Sequence, residues 1–296
     1  MDHSDIGIRM KAYENCYRIY FPRRQALIMR LDLRAGHTYT KGFRRPFDKI
    51  FAQCIQHTMK KLCENIEGAK FGYCESDEIS IALTDYETIN TEPWFGNNLQ
   101  KIVSISASMA SLFFKEKMRE IVYDLLYSWS NIDWNNEAEM KENEDRLRNW
   151  YGMPENREEW DEYVHIIQSA DCNKYAVFDC RVFLIPREEI VNYFYWRELD
   201  CSKNSIQMAA QSQFSHKELQ GLDCNKLQEK LFQERGINWA KDYPNEFRNG
   251  ASCYKRMIDV FGLDGSVVQR NKWYIDLNTP VFTQDRNYIE KHFIFK

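Results

Sequence analysis

The sequence predicts an α+β protein built on a ferredoxin-like βαββαβ unit with additional C-terminal helices. Three observations carry that expectation. Short apolar runs with strand character recur at 26–31, 69–74, 79–83 and 175–185. Stretches with an apolar residue every three or four positions separate the first run from the second and the third from the fourth. Only Glu75-Ser76-Asp77-Glu78 lies between the second and third runs, so those two strands must pair as an antiparallel hairpin. With 296 residues, 44% apolar and 28% charged, the chain can bury a sizeable core and is not a disordered segment.

The elements follow in order. Ala26–Leu31 (ALIMRL) reads as a buried strand ending at Asp32. Leu33–Arg45 is a basic, glycine-containing loop. Pro46 suits a first helical position, and Asp48 suits a first turn. Ile50, Phe51, Cys54, Ile55, Met59, Leu62, Cys63 and Ile66 then define an amphipathic helix of about five turns. The hairpin strands come next. Leu99, Ile102, Val103, Ser106, Met109, Ala110 and Phe113 mark a second helix. Tyr175–Ile185 closes the unit before Pro186. The chain therefore divides into 1–186 and a mainly helical 187–296, with helices at 187–213 and 223–235 forming either a second subdomain or a cover.

The charge distribution is uneven. Residues 131–163 hold eleven acids and four bases, whereas Phe21–Lys49 holds eight bases and two acids. The first segment reads as an exposed helical insertion whose Trp134, Trp150 and Trp160 seal against the body or a partner. The second is where a polyanion would be met. The nine cysteines form no CxxC pair, which argues against a zinc knuckle and for reduced thiols. Met1–Tyr20 has no apolar leader and no long apolar run follows. A cytoplasmic protein that does not enter a membrane is expected.

The chemistry gathers at one sheet edge. Placing the strand 26–31 beside 69–74 brings Asp32 next to Asp77 and Glu78, close to the basic loop. Carboxylates so arranged repel one another unless cations neutralise them. Mg²⁺ binds through one or two carboxylates plus substrate phosphates, and paired ions stabilise the attacking and leaving oxygens of a nucleotidyl displacement.

Five segments in order then become informative. They are Arg30-Leu31-Asp32-x-Arg34-x-x-His37, Phe43-Arg44-Arg45-Pro46-x-Asp48, Ser76-Asp77-Glu78-x-Ser80, Phe178-Asp179-x-Arg181-Val182 and Trp196-Arg197-x-x-Asp200. Together they resemble the tRNA-His guanylyltransferase superfamily of 3′–5′ polymerases, over about residues 5–110 and 170–250. Asp5-Ile6-Gly7-x-Arg9-Met10-Lys11 and Asn204-Ser205-Ile206-Gln207 resemble its tRNA-His-guanylyltransferase-like branch. The tRNA-His-specific eukaryotic enzymes typically carry His where this chain has Ser202. Leu33 replaces a usual Gly and forbids a positive φ; Gly36 replaces a usual Phe and removes a stacking ring.

The resemblance implies a polymerase/cyclase-type palm. It implies two Mg²⁺ held by Asp32, Asp77 and the Leu33 carbonyl, with Glu78 as a further catalytic carboxylate. Arg34, His37, Arg45, Asp48, Ser76 and Lys101 would contact a nucleotide; Arg30, Arg44, Arg181, Arg197 and Asn204 would contact RNA. The implied activity is templated 3′–5′ addition to the 5′ end of truncated tRNA, with ATP, GTP and other NTPs as substrates, by a homo-oligomer, a tetramer. The alternatives are a tRNA-His guanylyltransferase adding G at position −1, a non-catalytic RNA-binding protein on a degenerate palm, and a nucleotidyl cyclase.

Overall fold

The computed structural model describes residues 4–130, 136–261 and 267–293; Trp134 and the rest of 131–135 lie outside them. In chain order these residues form α1 (Asp5–Asn15), β1 (Ala26–Leu33), the helical turn α2 (Gly36–Tyr39), α3 (Lys49–Asn65), β2 (Ala69–Glu75) and β3 (Glu78–Leu83). Next come α4 (Leu99–Ser130), α5 (Glu137–Tyr151), α6 (Arg157–Asn173), β4 (Phe178–Ile185) and α7 (Ile190–Gln211). The chain continues through α8 (His216–Leu219), α9 (Cys224–Arg235), α10 (Trp239–Asp242), α11 (Asn245–Arg248), β5 (Ala251–Phe261), β6 (Val267–Asp276) and α12 (Asn287–Glu290).

Among the described residues, six strands form one antiparallel sheet in the order β4-β1-β3-β2-β5-β6. Its first four strands have the expected ferredoxin-like order. One expected neighbour is corrected: β1 pairs with β3 and β4, not with β2. The crossover through α3 leaves a gap one strand wide between β1 and β2, and the hairpin folds back to fill it with β3. The part of the chain after α11 contributes β5 and β6, which extend the sheet beyond β2.

Period-2 alternation assigns the two faces of β1. Leu27, Met29, Leu31 and Leu33 pack with α3 and α4. Ala26 and Ile28 pack with Ile190, Val191, Tyr193 and Phe194 of α7. Continuing that second row, Arg30 and Asp32 must also face α7. The sheet is thus covered on both sides, and the C-terminal helices act as a cover.

Three boundaries differ from expectation for local reasons. The helix after Pro46 starts at Lys49, because the Asp48 side chain accepts from Phe51 N at 2.9 Å and caps it. Such a cap contributes about 1 kcal/mol. The second helix runs on to Ser130, because Phe114, Met118, Ile121 and Leu125 keep the helical spacing and stay buried. The last palm strand begins at Phe178, opposite Leu33; Tyr175 is exposed.

The acidic insertion is not an exposed excursion. Leu147, Tyr151, Met153, Trp160 and Tyr163 all join the core of the palm helices. Trp160 is 1% exposed and Trp150 62%, so only one of these two seals against the body. The nine cysteines are all free thiols. Among the described residues, no helix is long and apolar enough to cross a membrane.

Candidate active site

Antiparallel register sets the site. Asp32, at the end of β1, lies opposite Glu78 on β3 and Asp179 on β4. Asp77 occupies the turn just before β3, and its backbone carbonyl accepts from Leu33 N at 3.1 Å. Ser76 holds the turn with φ +46°. Asp32 and Asp77 share a cavity of about 310 Å³ with Glu75, Glu78, Arg197 and Asp200. Burial lifts both aspartates above the usual carboxylate range, and Asp77 and Asp179 add like charge at Asp32. Two aspartates held this way want a counter-cation, which fits Mg²⁺.

The third expected carboxylate is committed elsewhere. Glu78 meets Arg197 Nε at 2.7 Å and Arg30 Nε at 3.7 Å. Among the described residues, no group of three or more acidic, His or Cys side chains forms a ready-made metal cluster. Arg197 is 5% exposed and also pairs with Glu75 and Asp200, each at 2.7 Å. It is therefore held by carboxylates within the protein, as a clamp beneath the site rather than a surface that RNA would touch. Trp196 stacks beside this clamp, 4.4 Å from the Arg197 guanidinium to the ring centroid.

A second cavity, of about 320 Å³, adjoins the first through Glu75, Ser76, Asp77, Asn204, Met208 and Gln211. His37, Arg44, Arg45 and Asp48 line it. Phe47 forms part of its wall, stacked on Phe247 with ring centroids 4.9 Å apart and planes 8° apart. Of the expected nucleotide residues, His37, Arg45, Asp48 and Ser76 are thus brought together here.

Asp48 lies inward. Its carboxylate accepts from Phe51 N, Arg44 N and the Tyr163 hydroxyl, so it shapes the wall. Arg34 is exposed and lines neither cavity. Lys101 is displaced further: α4 begins at the sheet end opposite the 75–78 turn, and Lys101 sits 5.8 Å from the Phe95 ring centroid. Of the expected RNA residues, Arg30 is tied to Glu78, Arg181 is exposed beside Asp179, and Asn204 lines both cavities.

The departures at Leu33 and Gly36 have structural answers. Leu33 does not adopt a positive φ and is buried among the palm helices; Ala35 takes the left-handed conformation instead, with φ +55°. Gly36 sits directly against the catalytic turn. A Cβ there would lie 2.0 Å from Asp77 Oδ2, so any larger residue has to displace the Asp77 carboxylate from this position. Gly36→Ala is expected to push Asp77 out of place and raise the Mg²⁺ half-saturation for activity by about tenfold or more, as losses of support around metal ligands do. A Mg²⁺ titration with an unchanged midpoint would refute this.

Several wall residues were not expected from sequence: Glu75, Gln207, Met208, Gln211 and Phe247. A signal was present on α7, where Arg197, Asp200, Asn204, Met208 and Gln211 recur at three- or four-residue spacing and so share one helix face.

Carboxylates at a strand end and in the adjoining turn, next to cationic side chains around an aromatic-lined hollow, are what transfer of a nucleotidyl group needs. The fold and site define a palm-type nucleotidyltransferase. A family model described as tRNAHis guanylyltransferase matches residues 7–186, more than half of the chain, and the chain belongs to that family. It is similar to a bacterial tRNAHis guanylyltransferase-like protein solved in complex with ATP, at 37% identity over 99% of this chain and 100% of that one, with a TM-score of 0.74. A bacterial protein of the same description in complex with GTP is 36% identical over 98% and 99%, TM-score 0.70. The tRNAHis guanylyltransferase of Saccharomyces cerevisiae shares the fold at 18% identity, with a TM-score of 0.58 over 92% and 98% of the two chains. An uncharacterised protein of Acanthamoeba polyphaga mimivirus is 23% identical over 273 residues, 89% of this chain and 81% of that protein.

Proposed function

We propose that this nucleotidyltransferase repairs the 5′ ends of truncated tRNAs by templated 3′–5′ addition. The observation that carries the reading is the continuity of the two cavities, which places Asp32 and Asp77 at one end and His37, Arg45 and the Phe47–Phe247 stack at the other. A triphosphate lying between them would meet cations along the loop and carboxylates at the turn. The ATP and GTP complexes of the bacterial relatives support nucleotides as its ligands.

The reaction has two displacements. An oxygen of the RNA 5′-monophosphate attacks the α-phosphorus of ATP, forming a P–O bond and releasing pyrophosphate. The 3′-hydroxyl of an incoming NTP then attacks the activated 5′-phosphorus, AMP leaves, and the hydroxyl proton is lost to solvent. Asp32 and Asp77 would hold Mg²⁺, which when bound neutralises charge developing on the phosphoryl oxygens. Arg45 and His37 orient the triphosphate, the aromatic wall excludes water, and the Arg197 clamp keeps Glu78 at the floor of the site. The cytoplasm is the proposed location and a homotetramer the proposed assembly, the latter checked by light scattering.

Repair rather than strict tRNA-His recognition is favoured by Ser202. It stands where tRNA-His-specific enzymes carry His, and its hydroxyl donates inward to the Arg248 carbonyl at 3.1 Å. The test compares 5′-labelled, monophosphorylated tRNAs lacking one 5′ residue with full-length tRNA-His, under ATP, Mg²⁺ and one NTP at a time. Repair predicts one-residue extension of truncated tRNAs by the NTP complementary to the template. Preferential GTP addition to full-length tRNA-His would assign the −1 activity instead, and the absence of any activated intermediate would leave only RNA binding.

A further inference from the structure

We infer that the acidic helical pair α5–α6 is an internal brace for the nucleotide-facing loop 39–49, with Tyr163 as its positioning residue. Among the described residues, none of either helix lines the two cavities, so these side chains do not touch a nucleotide bound there. The pair holds what does.

The contacts are specific and converge on the loop. The Tyr163 hydroxyl donates to Asp48 Oδ2, and Asp48 also accepts from Arg44 N and Phe51 N, each at 2.9 Å. One buried carboxylate therefore joins the loop, the start of α3 and the insertion. The end of α5 makes a second set. Its last carbonyls have no partner within the helix, and Lys49 Nζ donates to Asn149 O at 3.3 Å. Arg44 donates to the Gly152 carbonyl and the Gln53 amide to that of Trp150. Cations at a helix C-terminus are also favoured by the helix dipole. Just past α6, Lys174 Nζ donates to Tyr39 O at 2.7 Å and to Lys41 O at 3.3 Å. Both ends of the segment that flanks Arg45 are thereby tied to the helical pair or to the residue that directly follows it. Trp160 and Ile167, buried in the palm core, anchor the brace itself.

This inference rests on the reading that the 320 Å³ cavity takes the nucleoside triphosphate. The experiment separates the two. Affinity for a fluorescent GTP analogue and the KM and kcat of extension are measured for full-length wild type and variants. His37→Ala and Arg45→Ala test the cavity; if neither weakens binding, the cavity reading fails and the brace falls with it. Given that weakening, Tyr163→Phe keeps the ring and removes only the hydroxyl. It should raise Kd and KM about five- to tenfold, the effect of one lost hydrogen bond, with kcat within about twofold. Lys49→Met combined with Gln53→Ala loosens the α5 end without entering the core, and should move KM in the same direction. Unchanged Kd and KM in both, even with a lowered melting temperature, would make the insertion purely structural and overturn the brace; so would a fall in kcat at constant KM.

Discussion

Asp77→Asn should lower nucleotide addition by about 10³-fold or more while leaving the fold at least as stable. The activity loss follows from removing one of two carboxylates available to hold Mg²⁺ in the cavity shared with Asp32. A cation there contributes several kcal/mol to transition-state stabilisation, and about 4 kcal/mol corresponds to that factor. The stability expectation has the opposite sign. Burial raises both aspartates, and Asp32 also feels the like charge of Asp77 and Asp179. The folded chain therefore holds more protons than the unfolded chain just above their ordinary value of 3.8, and metal-free stability declines as pH rises through that window. Asn mimics the protonated form, so the variant escapes Asp77's share of the decline. Primer-extension rates and melting curves without metal, at acidic and neutral pH, check both halves. Wild-type extension, or a large drop in melting temperature, would count against the assignment.

Arg197→Met should be the most destabilising single change near the site. Arg197 is 5% exposed and meets Glu75, Glu78 and Asp200, each at 2.7 Å. Burial pushes Glu75 up to about 8 even against Arg197's pull. Removing the guanidinium would strand carboxylates in the interior, at a cost of about 3–5 kcal/mol. For a chain of this size that is on the order of 10 °C in melting temperature. Arg197→Lys keeps a charge but loses the planar fork, and should recover only part of the loss. Adding Glu75→Gln to Arg197→Met should recover stability by removing one buried carboxyl left without its partner. If Arg197→Met melts like wild type while RNA binding collapses, the residue is an RNA contact after all.

What the sequence makes legible here is local. The short apolar run Ala26–Leu31 and the three-to-four spacing of Ile50 through Ile66 are properties of a strand and a helix by themselves. Asp32 at a strand end and Asp77 in a four-residue link are equally readable, and register then brings them together. What escapes is set by distant contacts. Strand order depends on how the hairpin fills the gap left by a crossover, which no window of residues encodes. Lys101 looks like a phosphate ligand until the topology carries the start of α4 to the far end of the sheet. Arg197 stands among the RNA contacts the resemblance implies until Glu75 and Glu78, more than a hundred positions earlier, are seen to surround it. Asp48 looks like a helix-dipole residue, and only the insertion reveals its link to Tyr163. Gly36 reads as the loss of a ring, whereas the fold uses the missing Cβ to admit Asp77.

Anomalous scattering from crystals grown with Mn²⁺ and a non-hydrolysable GTP analogue is the most direct measurement. The account predicts metal peaks in contact with the carboxylates of both Asp32 and Asp77, with the triphosphate running toward Arg45. Metal bound instead at Asp200 or elsewhere, with Asp32 and Asp77 in contact with neither ion nor nucleotide, would contradict it.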